Sequence, residues 1–194
     1  MEASAQSSEQ LAARKSDLRR RYRAERALLN PGNAADFSWL HVVQSAELTS
    51  VQVIASYLSY GDEPTTIDIN QAILAAGKTL LLPRLMPDKD LEWVAWNGDA
   101  QALRQVGKNL WETIGSAVGS ETIGAFIVPA LHINQAGYRL GQGGGSYDRA
   151  LARSSAWKVG LIYPGELTNE ELPVEPHDQR LSAAATPTLI VRFK

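Results

Sequence analysis

The feature that most constrains this chain is an apolar run that empties into glycines. Ala125-Phe126-Ile127-Val128-Pro129-Ala130-Leu131 reads as a strand buried on both faces, and soon after it four glycines fall at 141, 143, 144 and 145. Tyr147-Asp148-Arg149-Ala150-Leu151-Ala152-Arg153 then reads as a helix. Glycines let backbone N–H groups approach an anion, and a helix start offers unpaired donors and a partial positive charge. The unit is therefore a phosphate trap. Arg139 and Arg149 bracket it as phosphate-pairing cations, and Asp148 is a candidate metal ligand. The loop is not a Walker A loop, because no Gly-Lys-Ser/Thr follows the glycines. It is not the dinucleotide fingerprint, because Ser146 stands where the third glycine belongs.

The rest of the chain repeats the strand–helix alternation. Residues 9–30 predict an amphipathic helix with Leu11, Leu18, Tyr22 and Leu29 on one stripe, ended by Asn30-Pro31-Gly32. Residues 34–47 predict a second helix, and Thr65 or Thr66 caps a third that Gly77 stops. Strands are predicted at 51–58, 79–83, 91–96, 125–131, 157–163 and 188–193, with 97–123 turn-rich and unassigned. Several strands are apolar almost throughout, which implies a largely parallel sheet covered on both faces. The expectation is an α/β fold: a three-layer α/β/α sandwich, Rossmann-like, spanning 1–194 as one domain, with 1–8 a frayed terminus.

Composition closes off several functions. The 194 residues carry a net charge of -2 with a pI of about 5.9, so no global basic field argues for nucleic acid. There is no cysteine, hence no disulfide framework, no thiolate nucleophile and no thiolate zinc site; three histidines remain as nitrogen ligands. No apolar run approaches a membrane span, and the start has neither the basic nor the apolar region of a signal peptide. Cytoplasmic residence as a monomer is the expectation.

Four further segments can carry chemistry, and each has a plainer reading. Lys15 and Arg19, spaced i, i+4 on a helix crowded with arginines, can hold a polyphosphate or simply be a solvated face. Leu58-Ser59-Tyr60-Gly61-Asp62-Glu63-Pro64 follows a strand, where α/β folds place ligands, or is a helix-start turn with acids at the positive dipole end. Leu172-Pro173-Val174-Glu175-Pro176-His177-Asp178 is either a ligand loop or an ordinary entry into the last strand. Arg84 ends a core strand, and Trp93, Trp96 and Trp111 are either packing residues or stacking partners for a flat ring.

Val128-Pro129-Ala130-Leu131, followed by Gly137-Tyr138-Arg139-Leu140-Gly141-Gln142-Gly143-Gly144-Gly145-Ser146-Tyr147-Asp148-Arg149, closely resembles the signature of the 5-formyltetrahydrofolate cyclo-ligase family. Lys15-Ser16-Asp17-Leu18-Arg19 is similar to that family's Lys-x-x-Leu-Arg element, the 59–66 segment to its Ser-x-x-x-Glu-x-x-Thr element, and 172–178 to its Leu-Pro-x-Glu-x-His-Asp segment. The resemblance runs over roughly residues 12–190. It implies ATP- and Mg²⁺-dependent conversion of 5-formyltetrahydrofolate, with or without a polyglutamate tail, to 5,10-methenyltetrahydrofolate with release of ADP and phosphate. It implies nucleotide contacts from Lys15, Arg19, Arg139, Leu140, Gly141, Gln142, Gly143, Gly144, Gly145, Ser146 and Tyr147. Folate contacts come from Leu58, Glu63, Tyr147 and the loop 142–146, and Mg²⁺ ligands are Asp148 and Asp178. Arg139, Tyr147 and Lys15 take the catalytic positions, and Arg84 points to the nucleotide edge.

The chain departs from the family pattern at Ser146, usually an aromatic, at Ser182, usually an aspartate, and at Glu112-Thr113, usually Glu-Pro. None of these is a proposed phosphate or metal ligand. Two other classes stay open on the residues alone. One is a sugar-phosphate isomerase or transferase using Glu63 as base, and the other is a nucleotide- or RNA-binding module using the first helix.

Overall fold

The computed structural model describes residues 7–29 and 37–194. In chain order the strands are Val53–Ala55 (β1), Thr79–Leu85 (β2), Leu91–Trp96 (β3), Leu103–Gly107 (β4), Leu110–Thr113 (β5), Ala117–Val118 (β6), Ala125–Pro129 (β7), His132–Asn134 (β8), Arg139–Leu140 (β9), Trp157–Leu161 (β10), Leu167–Thr168 (β11), Ala183–Ala185 (β12) and Ile190–Arg192 (β13). The helices are Ser8–Leu28 (α1), Ala46–Thr49 (α2), Ile67–Ala75 (α3) and Ser146–Ala152 (α4).

Side-chain alternation along the apolar runs decides the layers. Ile54, Leu80, Leu82, Ile127 and Val159 face one side of the sheet and pack with Trp39, Leu48, Ile69 and Ile73. Ala55, Leu81, Phe126 and Val128 face the other and pack with Trp93, Ala150 and Leu151. Both faces are thus covered, as expected for parallel strands that read as continuous apolar runs.

The main sheet has the order β13-β12-β10-β7-β1-β2-β3-β6. The five middle strands, β12 to β2, pair parallel, and β13, β3 and β6 add antiparallel margins. From β1 the chain moves outward through α3 to β2, whereas from β7 it moves the opposite way through α4 to β10. The order reverses between adjacent β1 and β7, so their C-terminal ends open a crevice at the topological switch point.

Three expectations change. The second helix, expected over 34–47, is a 3₁₀ turn at Leu40–Val42 followed by the four-residue α2; residues 34–36 lie outside the described residues. Ser45 is the reason: its hydroxyl accepts from Leu48 N–H and starts a new helix. The terminus expected to fray at 1–8 is already fixed at Ser7, where Ser7 and Gln10 form a reciprocal capping box; residues 1–6 lie outside the described residues. The unassigned stretch 97–123 holds the β4–β5 hairpin and β6. No described helix is long and apolar enough to cross a membrane.

Candidate active site

A cleft of about 390 Å³ opens at the switch point. Of the residues given a site role from sequence, all but Arg84 and Arg149 line it: Lys15 and Arg19 from α1, Leu58 and Glu63 from the loop after β1, Arg139 and Leu140 from β9, Gly141 to Gly145, Ser146, Tyr147, Asp148, and Asp178. Residues more than a hundred positions apart in the chain converge because three connections end at one sheet edge.

The glycine loop is held from both ends. β9 pairs antiparallel with β8 and so anchors the approach at Arg139 and Leu140. Gly143 and Gly145 lie at φ +107 and +68, conformations that L side chains rarely adopt. Gly145 is the N-cap of α4, and a Cβ there would stand 3.0 Å from the Arg149 guanidinium. Arg19 crosses the loop, its Nε donating to Gly141 O at 3.0 Å. Arg23 grips it too, donating to the Gln142 side-chain oxygen at 2.8 and 3.1 Å.

Helix α1 is the roof of the cleft. Its buried positions are Lys15, Leu18, Tyr22 and Arg26, so the face that packs inward is half charged. Leu18 and Tyr22 seat on Leu131, Leu140 and Leu172. The expected apolar stripe is thus correct at 18 and 22 and replaced by cations at its ends. Leu29 is instead 49% exposed. The arginines of this helix are turned to the protein's own groups: Arg14 to Glu171 O, Arg20 to Asp17, Arg21 to Glu170, Arg26 to Glu166.

Two ion-pair groups set the charge of the cleft. Lys15 Nζ lies 2.7 Å from Glu175 and 2.6 Å from Asp178. Arg139 meets Asp148 through both terminal nitrogens, at 2.7 and 3.2 Å. Gln179 N–H also donates to Asp148, at 3.1 Å. Arg139 Nε is buried without a partner among the described residues, so the guanidinium is held by its terminal nitrogens. Burial works against the Asp148 anion, but the Arg139 charge outweighs it and keeps that carboxyl below the usual carboxylate range. The Glu175 carboxyl is likewise held low by its hydrogen bond from Lys15.

Glu63 is the opposite case. It is buried beside Tyr57, Tyr60 and Tyr147, and burial pushes its carboxyl up to about 7. The Tyr60 N–H, the Arg26 charge and the Gln142 side chain oppose that rise without cancelling it. Thr66 fixes the loop: its hydroxyl donates to Tyr57 O at 2.6 Å and accepts from Ser59 N–H. The Tyr147 phenol is raised far above its ordinary value by burial, so it stays a neutral donor and never a base near neutrality.

Asp148, Glu175 and Asp178 give hard oxygen donors on one cleft, with His177 beside the last two; the ligating atoms of Glu175, His177 and Asp178 lie within 4.8 Å of one another. Carboxylate oxygens next to an anion loop fit Mg²⁺, which prefers oxygen ligands and shares them with phosphates. Sequence reasoning gave Glu175 no role, although it sits in the quoted segment three residues before Asp178. It also missed Arg23 and Arg26.

A family model described as the 5-formyltetrahydrofolate cyclo-ligase family matches residues 10–187. The chain belongs to that family. Membership makes it a ring-closing folate ligase in class, and the relatives agree. A protein named 5-formyltetrahydrofolate cyclo-ligase from Mycolicibacterium smegmatis is 32% identical over 148 residues, covering 71% of this chain and 75% of its own. One of the same name from Escherichia coli is 29% identical over 144 residues, covering 71% and 79%. The NMR structure of Aquifex aeolicus 5,10-methenyltetrahydrofolate synthetase superposes with a TM-score of 0.79 at 26% identity, covering 93% of each chain.

Within this cyclo-ligase frame the remaining candidates take other places, and only the readings of Arg84 and Arg149 as phosphate-side cations are corrected. Arg84 does not reach the cleft; it bonds Glu92 at 2.5 Å and Gly115 O at 2.9 Å, tying β2 to its neighbours. Arg149 turns away from the loop interior to Lys89 O and Gly144 O. Trp93 is core, edge-on to Phe126, and Trp96 packs against the other face. Trp111, 43% exposed on the β4–β5 hairpin, is the tryptophan that lines the cleft. Ser182, at the position of the usual aspartate, accepts from Lys158 N–H and serves the sheet.

Proposed function

We propose that this chain closes the ring of 5-formyltetrahydrofolate at the expense of ATP, forming 5,10-methenyltetrahydrofolate, ADP and phosphate. The observation that carries this reading is the convergence in one cleft of a glycine loop, three cations and a buried acid on opposite sides of the switch point, in a chain of this family. The formyl oxygen attacks the γ-phosphorus and ADP leaves, so the oxygen becomes part of an imino-phosphate. N10 then attacks the activated carbon. The carbon–oxygen bond breaks, phosphate departs with the former formyl oxygen, and N10 loses its proton.

No protein nucleophile is required, so the work is positioning and charge stabilisation. Lys15, Arg19, Arg139 and the N–H groups of residues 140–147 hold the phosphates. Lys15 and Arg139 are already in the cleft as partners of Asp178 and Asp148. There they would serve phosphate oxygens, and the carboxylates Asp148 and Asp178, with Glu175 beside them, would hold Mg²⁺. Held there, the ion would supply charge neutralisation on the transferred phosphoryl group. Leu58, Glu63 and Tyr147 face the folate, with Tyr147 donating from its neutral phenol. The cleft is built from one chain, so a monomer suffices, and we place the reaction in the cytoplasm.

Isotope transfer tests the phosphorylated intermediate. With the formyl oxygen of the folate labelled as ¹⁸O, the label is expected in inorganic phosphate in one-to-one ratio with methenyl product. Label released in water would overturn the imino-phosphate route.

A further inference from the structure

Arg26 and Glu166 form a buried salt bridge that the reaction as described does not use. Both side chains are 3% exposed, and the guanidinium meets the carboxylate through two bonds of 2.7 Å. A buried ion pair is weak evidence of stabilisation, because desolvation of two charges offsets their attraction. Leu18 and Tyr22 already seal α1 to the body. What the pair touches is more telling. Arg26 Nη2 also donates to Ala130 O at 2.6 Å and Leu131 O at 3.0 Å, the cleft-lining residues just beyond β7. Glu166 Oε2 accepts from Tyr163 N–H at 2.8 Å, beyond the end of β10. Tyr163 lies under the Arg26 guanidinium, 5.5 Å from its carbon, and its hydroxyl donates to Glu63 O at 3.3 Å.

One guanidinium therefore ties α1 to the ends of β7 and β10 and, through Tyr163, to the backbone of Glu63. Arg26 is also the cation whose field acts on Glu63. The other groups facing that carboxyl are neutral, namely the Tyr60 N–H, the Gln142 side chain, and the phenols of Tyr57, Tyr60, Tyr147 and Tyr163, with the Arg23 cation one step back on Gln142. We propose that Arg26 and Glu166 are a positioning pair for the folate side of the cleft, fixing the Glu63 loop and setting the balance of charge behind its carboxylate. This rests on Glu63 being the folate-facing acid.

The two members predict opposite electrostatic effects, which a purely structural pair would not produce. Glu166→Gln keeps shape and a hydrogen bond but leaves the Arg26 charge uncompensated, so the Glu63 pKa falls. Arg26→Gln removes the opposing cation, so it rises. Each shift is expected on the order of one unit or somewhat less. The experiment measures KM for 5-formyltetrahydrofolate across pH 5.5–9 at saturating ATP (about the neutral range where Glu63 titrates). Wild type, Glu166→Gln, Arg26→Gln and Glu63→Gln are compared, with KM for ATP measured beside them.

The apparent pKa in the folate profile should move down in Glu166→Gln and up in Arg26→Gln, with KM for folate raised roughly tenfold in the latter and KM for ATP moved far less. If Arg26→Gln does not fold, the near-isosteric Glu166→Gln decides alone. Shifts of the same sign, or an unmoved profile, would overturn the pair while Glu63→Gln still abolishes the pH dependence. If Glu63→Gln itself keeps the wild-type profile, the assignment of Glu63 falls, and the pair falls with it.

Discussion

At the scale of single residues, the site works by holding ionisable groups in opposed states. Glu63 carries a carboxyl raised to about 7 by burial, so it destabilises the fold whenever it is ionised. Its contribution is fully favourable below the unfolded carboxyl pKa of about 4.3 and is lost as pH rises through about 7. Glu63→Gln is therefore expected to raise the melting temperature at pH 8 relative to wild type and to lose that advantage below about pH 4.5, as scanning calorimetry will show. Asp148 runs the other way, its stabilisation present above its unfolded pKa and lost as pH falls through its lowered folded value. Asp148→Asn leaves the 4%-exposed Arg139 without a counter-charge, and loss of one partner of a buried pair costs up to about 3–5 kcal/mol. The variant should melt earlier and need far more Mg²⁺ for half-maximal turnover; normal turnover at limiting Mg²⁺ would return Asp148 to a purely structural pair with Arg139. The residue types themselves were legible, since Lys15, Arg19, Glu63, Asp148 and Asp178 all stand in readable motifs. Arg26 was not, because a cation inside an arginine-rich helix looks like all its neighbours until burial singles it out.

At the scale of elements, the strand–loop–helix unit of β7, the glycine loop and α4 was readable because its glycines are demanded by backbone geometry. The glycines are not equivalent, however. Gly145 lies at φ +68 with the Arg149 guanidinium in the way, whereas Gly144 has ordinary φ and a Cβ there would meet only Ser146 Oγ at 3.4 Å. Gly145→Ala is expected to destabilise by about 1 kcal/mol or more, while Gly144→Ala keeps wild-type stability. Any loss of nucleotide affinity in Gly144→Ala, read by calorimetry, then reports on phosphate contact alone; equal melting points for the two variants would contradict the loop geometry. Other elements were hidden for physical reasons. β12 is three alanines, fully enclosed between β10 and β13, and alanine carries no strand preference for a pattern to reveal. The β4–β5 hairpin lies outside the main sheet and shows little of the alternation that a half-buried strand would print. The bounds of helix α1 lie within two residues of those its periodicity predicts, but its inward face departs from the apolar stripe at both ends, because Lys15 and Arg26 are buried by partners supplied from residues 166–178.

At the scale of the whole molecule, the fold is a device for bringing chain ends to one edge. The reversal of strand order between β1 and β7 opens the crevice, α1 closes over it, and the loop carrying Glu175 and Asp178 completes it from the far end of the sequence. The apolar runs predicted a parallel sheet covered on both faces, and that architecture is present. The small β8–β9–β11 sheet that braces the glycine loop left no mark, since its strands are two or three residues long. Coupling of ATP cleavage to ring closure on a folate is the reaction proposed for this cleft. It is tested by mixing the protein with ATP, Mg²⁺ and 5-formyltetrahydrofolate and following ADP and the methenyl product together. One ADP is expected for each methenyl group formed, and no ADP when the folate is omitted. Methenyl product formed without ATP, or ADP released at the same rate without folate, would contradict it.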